Sequence, residues 1–400
     1  MPSWLEVFLS KFNGRRSSES LIVGRNARLK HDDLRDTIVK KNYKKILIFR
    51  TGQLGDTLVS VPAFRSVREH FPDAHLTLLC DGQTNKKYVR ASDVLEGAGL
   101  IDDVLSYPVD ASRAGRALRS VLMLALLVRL RSRQFDTLVY LLQSRRVPEM
   151  ISRDIRFFRW AGIRQFIGTE GFYPLPEKET GKPLPSVPHE TDLILARLAK
   201  SGIPVPLPGE ASFDLNIGSR EKVAVEQWLK ILPSDGGRQW IVVGPGSKMP
   251  VKRWPAERYT EVVQRLIEEF NIWPVIFGGP EDATVAESLV TQWGCGYVAA
   301  GKLGIREGIA AMERCVMYLG NDSGVMHMAV AAGLKCVAIF SARDYPGNWE
   351  PYGIGHVIFR KTVACAGCML QVCTEKDMEC IRSISEEDVF HACQRLFGRQ

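Results

Sequence analysis

No stretch of this chain stays apolar for long. The longest run, Val121 to Val128, is far short of the roughly 20 residues that a membrane-spanning helix needs. The first residues show no basic segment followed by an apolar core, so no secretory signal is read and a cytoplasmic protein is expected. In a reducing compartment stable disulfides do not persist, which leaves the nine cysteines as free thiols or metal ligands. Short-period repeats and low-complexity segments are missing. So is the aromatic-interleaved basic platform expected of a single-strand nucleic-acid binder. Lysine is absent from Arg113 to Arg164, where twelve arginines face three acids.

What is present is a chain of 400 residues, too long for one ordinary core, so two domains are expected. Its net charge of +8 is uneven. Met1 to Gly55 holds twelve Lys/Arg against five Asp/Glu, and the arginine-rich stretch adds more, so the remainder is net acidic. A basic first half suits an anionic partner such as a membrane surface, an acidic glycolipid or nucleic acid; a merely solvated face is the plainer alternative for any one cluster.

The organising stretch is Lys45 to His70. Ile46 to Phe49 reads as a buried strand, Gly52 and Gly55 make a tight loop, and Asp56 opens a run in which Leu58, Val61, Phe64 and Val67 recur at helical spacing. Such a strand–loop–helix unit opens a doubly wound α/β sheet, whose ligand crevice lies at the carboxyl ends of the strands. Before it, Trp4, Leu5, Phe8, Leu9 and Phe12 share one helical face, suited equally to an anionic membrane surface or to docking on the protein. Strands are expected at His75–Cys80, Asp103–Tyr107 and Asp136–Leu142, with helices at Ser112–Arg133, Pro148–Trp160 and Glu190–Ser201. A proline cluster, Pro204, Pro206 and Pro208, marks the domain boundary. Beyond it, strands and helices alternate again up to a last helix, Ser385–Phe397, opened by the capping pair Ser385 and Asp388.

Four loops that follow strands carry polar residues of a phosphate-and-sugar type. The first holds Gly52, Gly55 and Asp56 and lacks the G-x-G-x-x-G spacing of a dinucleotide site. From spacing alone Asp56 reads as a helix cap, with a general base as the alternative. The second runs from Gly244 through Ser247 and Lys248 to Lys252, Arg253, Trp254 and Pro255. It is not a Walker A loop, but its hydroxyl and cations can meet a pyrophosphate. The third carries Glu281 and Asp282, able to accept from ribose hydroxyls or to cap a helix. The fourth is Gly320, Asn321, Asp322, Ser323 and Gly324, with His327 one turn into the next helix.

Taken in order, Gly52, Gly55, Asp56 and Pro62, the Pro245–Ser247 segment with Lys252 to Pro255, Gly279 to Glu281, and Asn321 to Gly324 with His327 resemble glycosyltransferase family 9, the ADP-heptose:lipopolysaccharide heptosyltransferases. The resemblance runs from about Lys45 to about Pro351. It implies a GT-B fold: two Rossmann-like domains with parallel sheets facing across a cleft. On that reading residues 1–42 are a basic extension, 43–208 an acceptor domain, 209–362 a nucleotide-sugar donor domain, and 363–400 a Cys-rich tail and terminal helix. It implies inverting transfer with no metal or other cofactor required for catalysis, and no nucleic-acid partner. The sugar, heptose from ADP-heptose as the family default, would go to a lipopolysaccharide core or another anionic glycan acceptor at the inner face of the cytoplasmic membrane. In that scheme Asp56 is the catalytic carboxylate, Ser247 and Lys252 hold the pyrophosphate, and Glu281 meets the ribose. Asp322, Ser323, Gly324 and His327 form the donor loop, and Gly52 and Gly55 shape the acceptor side.

The tail adds Cys365, Cys368, Cys373 and Cys380, a CxxC pair with two more thiols close by. That spacing suits a tetrahedral zinc or iron site, with free thiols the equal alternative. A related branch of the family modifies proteins and holds iron in such a tail, which keeps a protein heptosyltransferase open as a second reading. A non-catalytic nucleotide-sugar or metal-binding protein is the third. An epimerase on the same fold would need acid/base groups on both faces of the sugar, and only Asp56 and His327 offer themselves.

Overall fold

The computed structural model describes residues 42–82, 89–108, 115–179, 182–374 and 376–398. The Trp4–Phe12 stripe and the rest of the N-terminal extension up to residue 41 lie outside the described residues.

The first sheet is built on β1 (Lys45–Phe49), with β2 (His75–Asp81), β3 (Asp103–Tyr107), β4 (Thr137–Tyr140) and β5 (Gln165–Ile167) in the order β3-β2-β1-β4-β5, all parallel. A central parallel strand is covered on both faces, which is why β1 is aliphatic throughout. Its alternation sorts the helices into layers. Ile46 and Ile48 face α1 (Leu54–Leu58), α2 (Val61–His70), α3 (Ala91–Leu95) and α6 (Glu190–Lys200). Leu47 and Phe49 face α4 (Gly115–Arg133) and α5 (Pro148–Trp160).

After α7 (Ser219–Leu229) comes the second sheet: β6 (Gln239–Gly244), β7 (Ile272–Ile276), β8 (Tyr297–Val298), β9 (Cys315–Asn321), β10 (Lys335–Ile339) and β11 (Val357–Phe359). It too is wholly parallel, in the order β11-β10-β9-β6-β7-β8. Its helices are α8 (Ala256–Phe270), α9 (Ala283–Trp293), α10 (Ile305–Met312) and α11 (Gly324–Ala331). The tail, with α12 (Glu379–Arg382) and α13 (Glu386–Phe397), packs into the same core: Phe397 stacks on Phe270 at 5.2 Å, and Ile381, Ile384 and Phe390 are buried. Ser385 caps α13 by accepting from the Asp388 N–H at 3.2 Å. One apolar cluster runs through both halves, from Ile46 and Val61 to Val242 and Met326. Among the described residues no helix is long and apolar enough to cross a membrane.

Two expectations change. The run opened by Asp56 is not one helix: α1 stops at Leu58 and α2 starts at Val61. Pro62 has no N–H to give the Leu58 carbonyl, the Ala63 N–H turns to the Ser60 carbonyl at 3.0 Å, and the Val59 carbonyl accepts instead from Thr191 Oγ1 at 2.8 Å. Strand β4 ends at Tyr140 rather than Leu142, because the Leu141 and Leu142 carbonyls are taken by the guanidinium groups of Arg50 and Arg197.

The segment before α6 is tied to the second half. Val187 N–H donates to the Pro346 carbonyl at 2.9 Å and Glu190 N–H to the Asn348 carbonyl at 3.0 Å. Between these bonds Gly347 has φ +91°, and a Cβ there would collide with the Val187 carbonyl oxygen. Replacing Gly347 by alanine is therefore expected to destabilise the protein by roughly 1–3 kcal/mol. Denaturant unfolding checks this, and an unchanged midpoint would refute it.

Candidate active site

Two loops meet in the cleft between the sheets. On the first side, the chain leaves β1 through Arg50, Thr51 and Gly52 and enters α1. Gly52 has φ +132°, and a Cβ there would stand 2.7 Å from the Asp56 Cβ, so only glycine lets the turn fold so tightly over Asp56. Asp56 sits in the first turn of α1, and its Oδ2 accepts from the Gln53 N–H at 2.8 Å. Its Oδ1 accepts from Gln143 Nε2. The buried Arg50 donates from Nη1 to the Leu141 carbonyl at 2.6 Å and from Nη2 to the Asp56 carbonyl. That same Nη2 stands 4.0 Å from Asp56 Oδ1. Asp56 is thus a cap, as its position suggests, but its side chain keeps 19 % exposure, enough for a substrate to reach it.

On the other side, Asn321 ends β9, Asp322 follows it, Ser323 is the N-cap residue in extended backbone, and α11 begins at Gly324. The buried Asn321 ties three segments together. Its Oδ1 accepts from the Trp254 N–H at 3.1 Å and the Tyr259 hydroxyl at 2.8 Å, and its Nδ2 donates to the Pro245 carbonyl at 2.6 Å. Lys252 Nζ lies 2.6 Å from Asp322 Oδ2, both side chains nearly buried. Ser247 sits on the same loop, where its carbonyl accepts from Arg253 Nε at 2.7 Å. Lys248 reaches across the cleft to Gln53 Oε1 at 2.7 Å. The carboxylates of Glu281 and Asp282 bear on that ammonium, and Glu281 itself is exposed on the rim.

The two sides touch. A Cβ at Gly55 would stand 3.2 Å from the His327 ring, and one at Gly324 would stand 2.8 Å from the Leu54 side chain. Farther out, Arg145 Nη1 meets Asp344 Oδ1 at 2.7 Å across the cleft. Beside Asp56 a cavity of about 340 Å³ opens, lined by Thr51, Asp81, Tyr107, Gln143, Arg146 and Arg153 among others. Its arginines are held by the buried Asp154, at 2.8 Å from Arg146 and 2.9 Å from Arg153.

Of the residues singled out in the sequence, Gly52, Gly55, Asp56, Lys252, Asp322, Ser323, Gly324 and His327 come together in this cleft, with Ser247 and Glu281 on its rim. Arg50 and Gln143 were not singled out. Each stands just past the carboxyl end of a strand, and that position is the only signal the chain offers for them. The four tail cysteines lie elsewhere. Cys365, Cys368 and Cys373 are close enough to Cys380 to add to the upward pull of burial on its thiol, yet among the described residues no three His, Cys, Asp or Glu side chains are gathered as a metal site. Cys80, Cys315, Cys336 and Cys393 are buried, as ordinary core residues should be, and Cys295 is half-buried.

His327 is 4 % exposed, and burial together with the nearby Lys252 ammonium pushes its imidazole down to about 3. The folded protein therefore keeps it neutral where the unfolded chain, at about 6.5, takes up a proton. Its contribution to stability is complete above pH 6.5 and is lost as pH falls towards 3, at about 1.4 kcal/mol per pH unit. His327→Gln is expected to flatten that slope. Denaturant titrations between pH 7 and pH 5 check this, and equal slopes for the two proteins would refute it.

A family model described as glycosyltransferase family 9 (heptosyltransferase) matches residues 192–379. Lipooligosaccharide heptosyltransferase 2 of Haemophilus ducreyi is 24 % identical over 303 residues, 72 % of this chain and 80 % of that protein. Among solved structures, a family 9 glycosyl transferase from Veillonella parvula superimposes with a TM-score of 0.68 at 20 % identity, covering 90 % of this chain and 99 % of the other. The ADP-heptose lps heptosyltransferase II of E. coli does so with a TM-score of 0.63 at 19 % identity, covering 89 % and 99 %. The fold shared with these structures is GT-B, its two parallel sheets facing across the cleft described above. Residues 192–379, just under half of the chain, thus carry the match to glycosyltransferase family 9, and the chain is a glycosyltransferase.

Proposed function

We propose that this protein moves heptose from ADP-heptose to an anionic glycan acceptor, with inversion and without a catalytic metal. The observation that carries the reading is the position of Asp56. It stands between a polar cavity on the first sheet's side and a cation-bearing loop pair on the second. The name of the superimposable E. coli enzyme supplies the donor. The acceptor hydroxyl would enter the cavity beside Asp56, where Arg146 and Arg153 have N–H groups beyond those bonded to Asp154. Asp56 takes the hydroxyl proton. The oxygen attacks the anomeric carbon, and the bond to the diphosphate breaks on the opposite face, its electron pair leaving with ADP. Negative charge then grows on the diphosphate, where Lys248, Lys252, Ser247 and the N–H groups opening α11 can receive it. Glu281, on the rim, is suited to the ribose hydroxyls.

Asp56→Asn keeps the shape and removes the base. It is expected to lower kcat by roughly 10²–10⁴-fold while ADP still binds. Lys252→Ala is expected to weaken ADP binding by about 10-fold or more, the loss of a charge-assisted bond. Calorimetry with ADP, UDP and GDP, and transfer assays on glycan and protein acceptors, check these outcomes. Near-normal turnover by Asp56→Asn would remove Asp56 as the base. Preference for UDP or GDP would remove ADP-heptose as the donor.

For the tail we propose a structural zinc or iron held by Cys365, Cys368, Cys373 and Cys380. Their spacing in the sequence supports it. The tail also braces the donor side, since the Val251 N–H, beside Lys252, donates to the Gln371 carbonyl at 3.2 Å. Elemental analysis of purified protein is expected to find about one metal per chain, lost in Cys365→Ser with Cys368→Ser. A metal-free, equally stable wild-type protein would leave the four as free thiols.

A further inference from the structure

Helix α4 is apolar on both sides. Its inner face, with Leu126 and Leu130, is buried against Leu47, Phe135 and Phe157. Its outer face carries Leu118, Val121, Leu122, Leu124 and Val128, which are between 40 % and 61 % exposed. A helix on the surface of a soluble domain normally turns charged residues outward. From Leu118 to Val128 this helix lays an open apolar stripe roughly 15 Å long on the protein.

The surroundings of the stripe are basic. Helices α4 and α5 cover the same face of the first sheet and share one core. Arg131 Nη1 donates to the Trp160 carbonyl at 2.9 Å, which places Trp160, 40 % exposed, beside the carboxyl end of α4. Arg129, Arg131, Arg156, Arg159 and Arg164 are all exposed on this layer. The acids nearby are committed elsewhere. Asp136 accepts from the Lys44 and Lys45 N–H groups, Asp154 is buried between Arg146 and Arg153, and Asp103 is paired with Arg133. Glu149 lies in the first turn of α5, away from Trp160.

We propose that the α4–α5 layer seats the protein on a bilayer that carries anionic lipid. The apolar stripe enters the boundary between headgroups and acyl chains, Trp160 sits at headgroup level, and the arginines meet lipid phosphates. Charge favours this occupant over a second copy of the chain. A two-fold contact through the same patch would set one rim of arginines against another. The topology gives the seat a use. Helix α4 connects the carboxyl end of β3 to the amino end of β4, so its amino end lies at the edge of the sheet where the cavity beside Asp56 opens. A sugar carried on a lipid in that bilayer would reach the cavity along the helix. The surface itself does not depend on which nucleotide sugar the cleft takes.

Vesicle flotation of the full chain tests this. The protein is expected to float with phosphatidylcholine vesicles that contain phosphatidylglycerol, less so at high salt, and not with phosphatidylcholine alone. Val121→Ser with Leu124→Ser and Val128→Ser is expected to abolish flotation. Arg129→Gln and Arg159→Gln are each expected to weaken it about fivefold, the equivalent of ~1 kcal/mol per arginine at an anionic surface. Circular dichroism and thermal melts of the variants, expected to be unchanged, establish that they fold. Flotation that survives in both sets of folded variants would overturn the proposal. So would failure to bind anionic vesicles, or a concentration-dependent dimer dissolved by the same serines.

Discussion

The cleft depends on how closely α1 lies against α11. Two glycines set that distance, Gly55 facing His327 and Gly324 facing Leu54, and a side chain at either would push the helices apart. The contact lets Lys248 of one side bond Gln53 of the other, and it leaves Asp56 facing the loop that opens α11. Because apolar surface is continuous from the first sheet to the second, separating the halves would expose packed residues as well as break these polar contacts. The cleft is thus held by backbone approach first and by side-chain bonds second.

Behind Asp56 the polar core has its own logic. Arg50 and Arg197 are buried guanidinium groups that bond the Leu141, Leu142 and Gly168 carbonyls, and Glu190, wholly buried, accepts from the Ser144 N–H at 2.7 Å. Burial pushes the Glu190 carboxyl up, while both arginines pull it down. A charge set of this kind costs desolvation energy and contributes little net stability, so its worth lies in fixing geometry. Here the geometry fixed is that of the loops after β1 and β4, which carry Asp56 and Gln143. Since Glu190 opens α6, the segment tied to the second half at Pro346 and Asn348 ends against the support of the loop that carries Asp56.

Much of the fold is legible because long elements repeat their pattern. Asp103–Tyr107 and Pro148–Trp160 run in the structure just as the sequence pattern sets them. Strands β5, β8 and β11 are not legible, since none exceeds three residues, and α3 has only five residues, too few for a helical pattern to repeat. The site divides in the same way. Asp56, Asp322 and His327 stand beside glycine turns that follow obvious strands, so local pattern finds them. Gln143 bonds Asp56 across 87 positions, and no local pattern predicts a bond made by tertiary approach. The outward face of α4 is a third case. Its apolar run is plain in the sequence, and only the structure shows which half of it is exposed.

The pairing of Lys252 with Asp322 bears on what the cleft can accept. An ammonium so nearly buried would be costly without a partner, and in the protein alone Asp322 is that partner. An incoming anion must compete with a carboxylate already 2.6 Å from the nitrogen. A singly charged ligand would exchange one such contact for another and gain little. A diphosphate carries more charge and several acceptor oxygens, so it can engage Lys252 together with Lys248 and the N–H groups of α11. On the proposed reading, the ion pair keeps the cation in place between turnovers and biases the site towards ligands of higher charge. The same comparison suits a lysine to the place beside Asp322 and arginines to the α4–α5 layer. A compact ammonium can change partners within a confined space, whereas a guanidinium fork suits a surface of many phosphates.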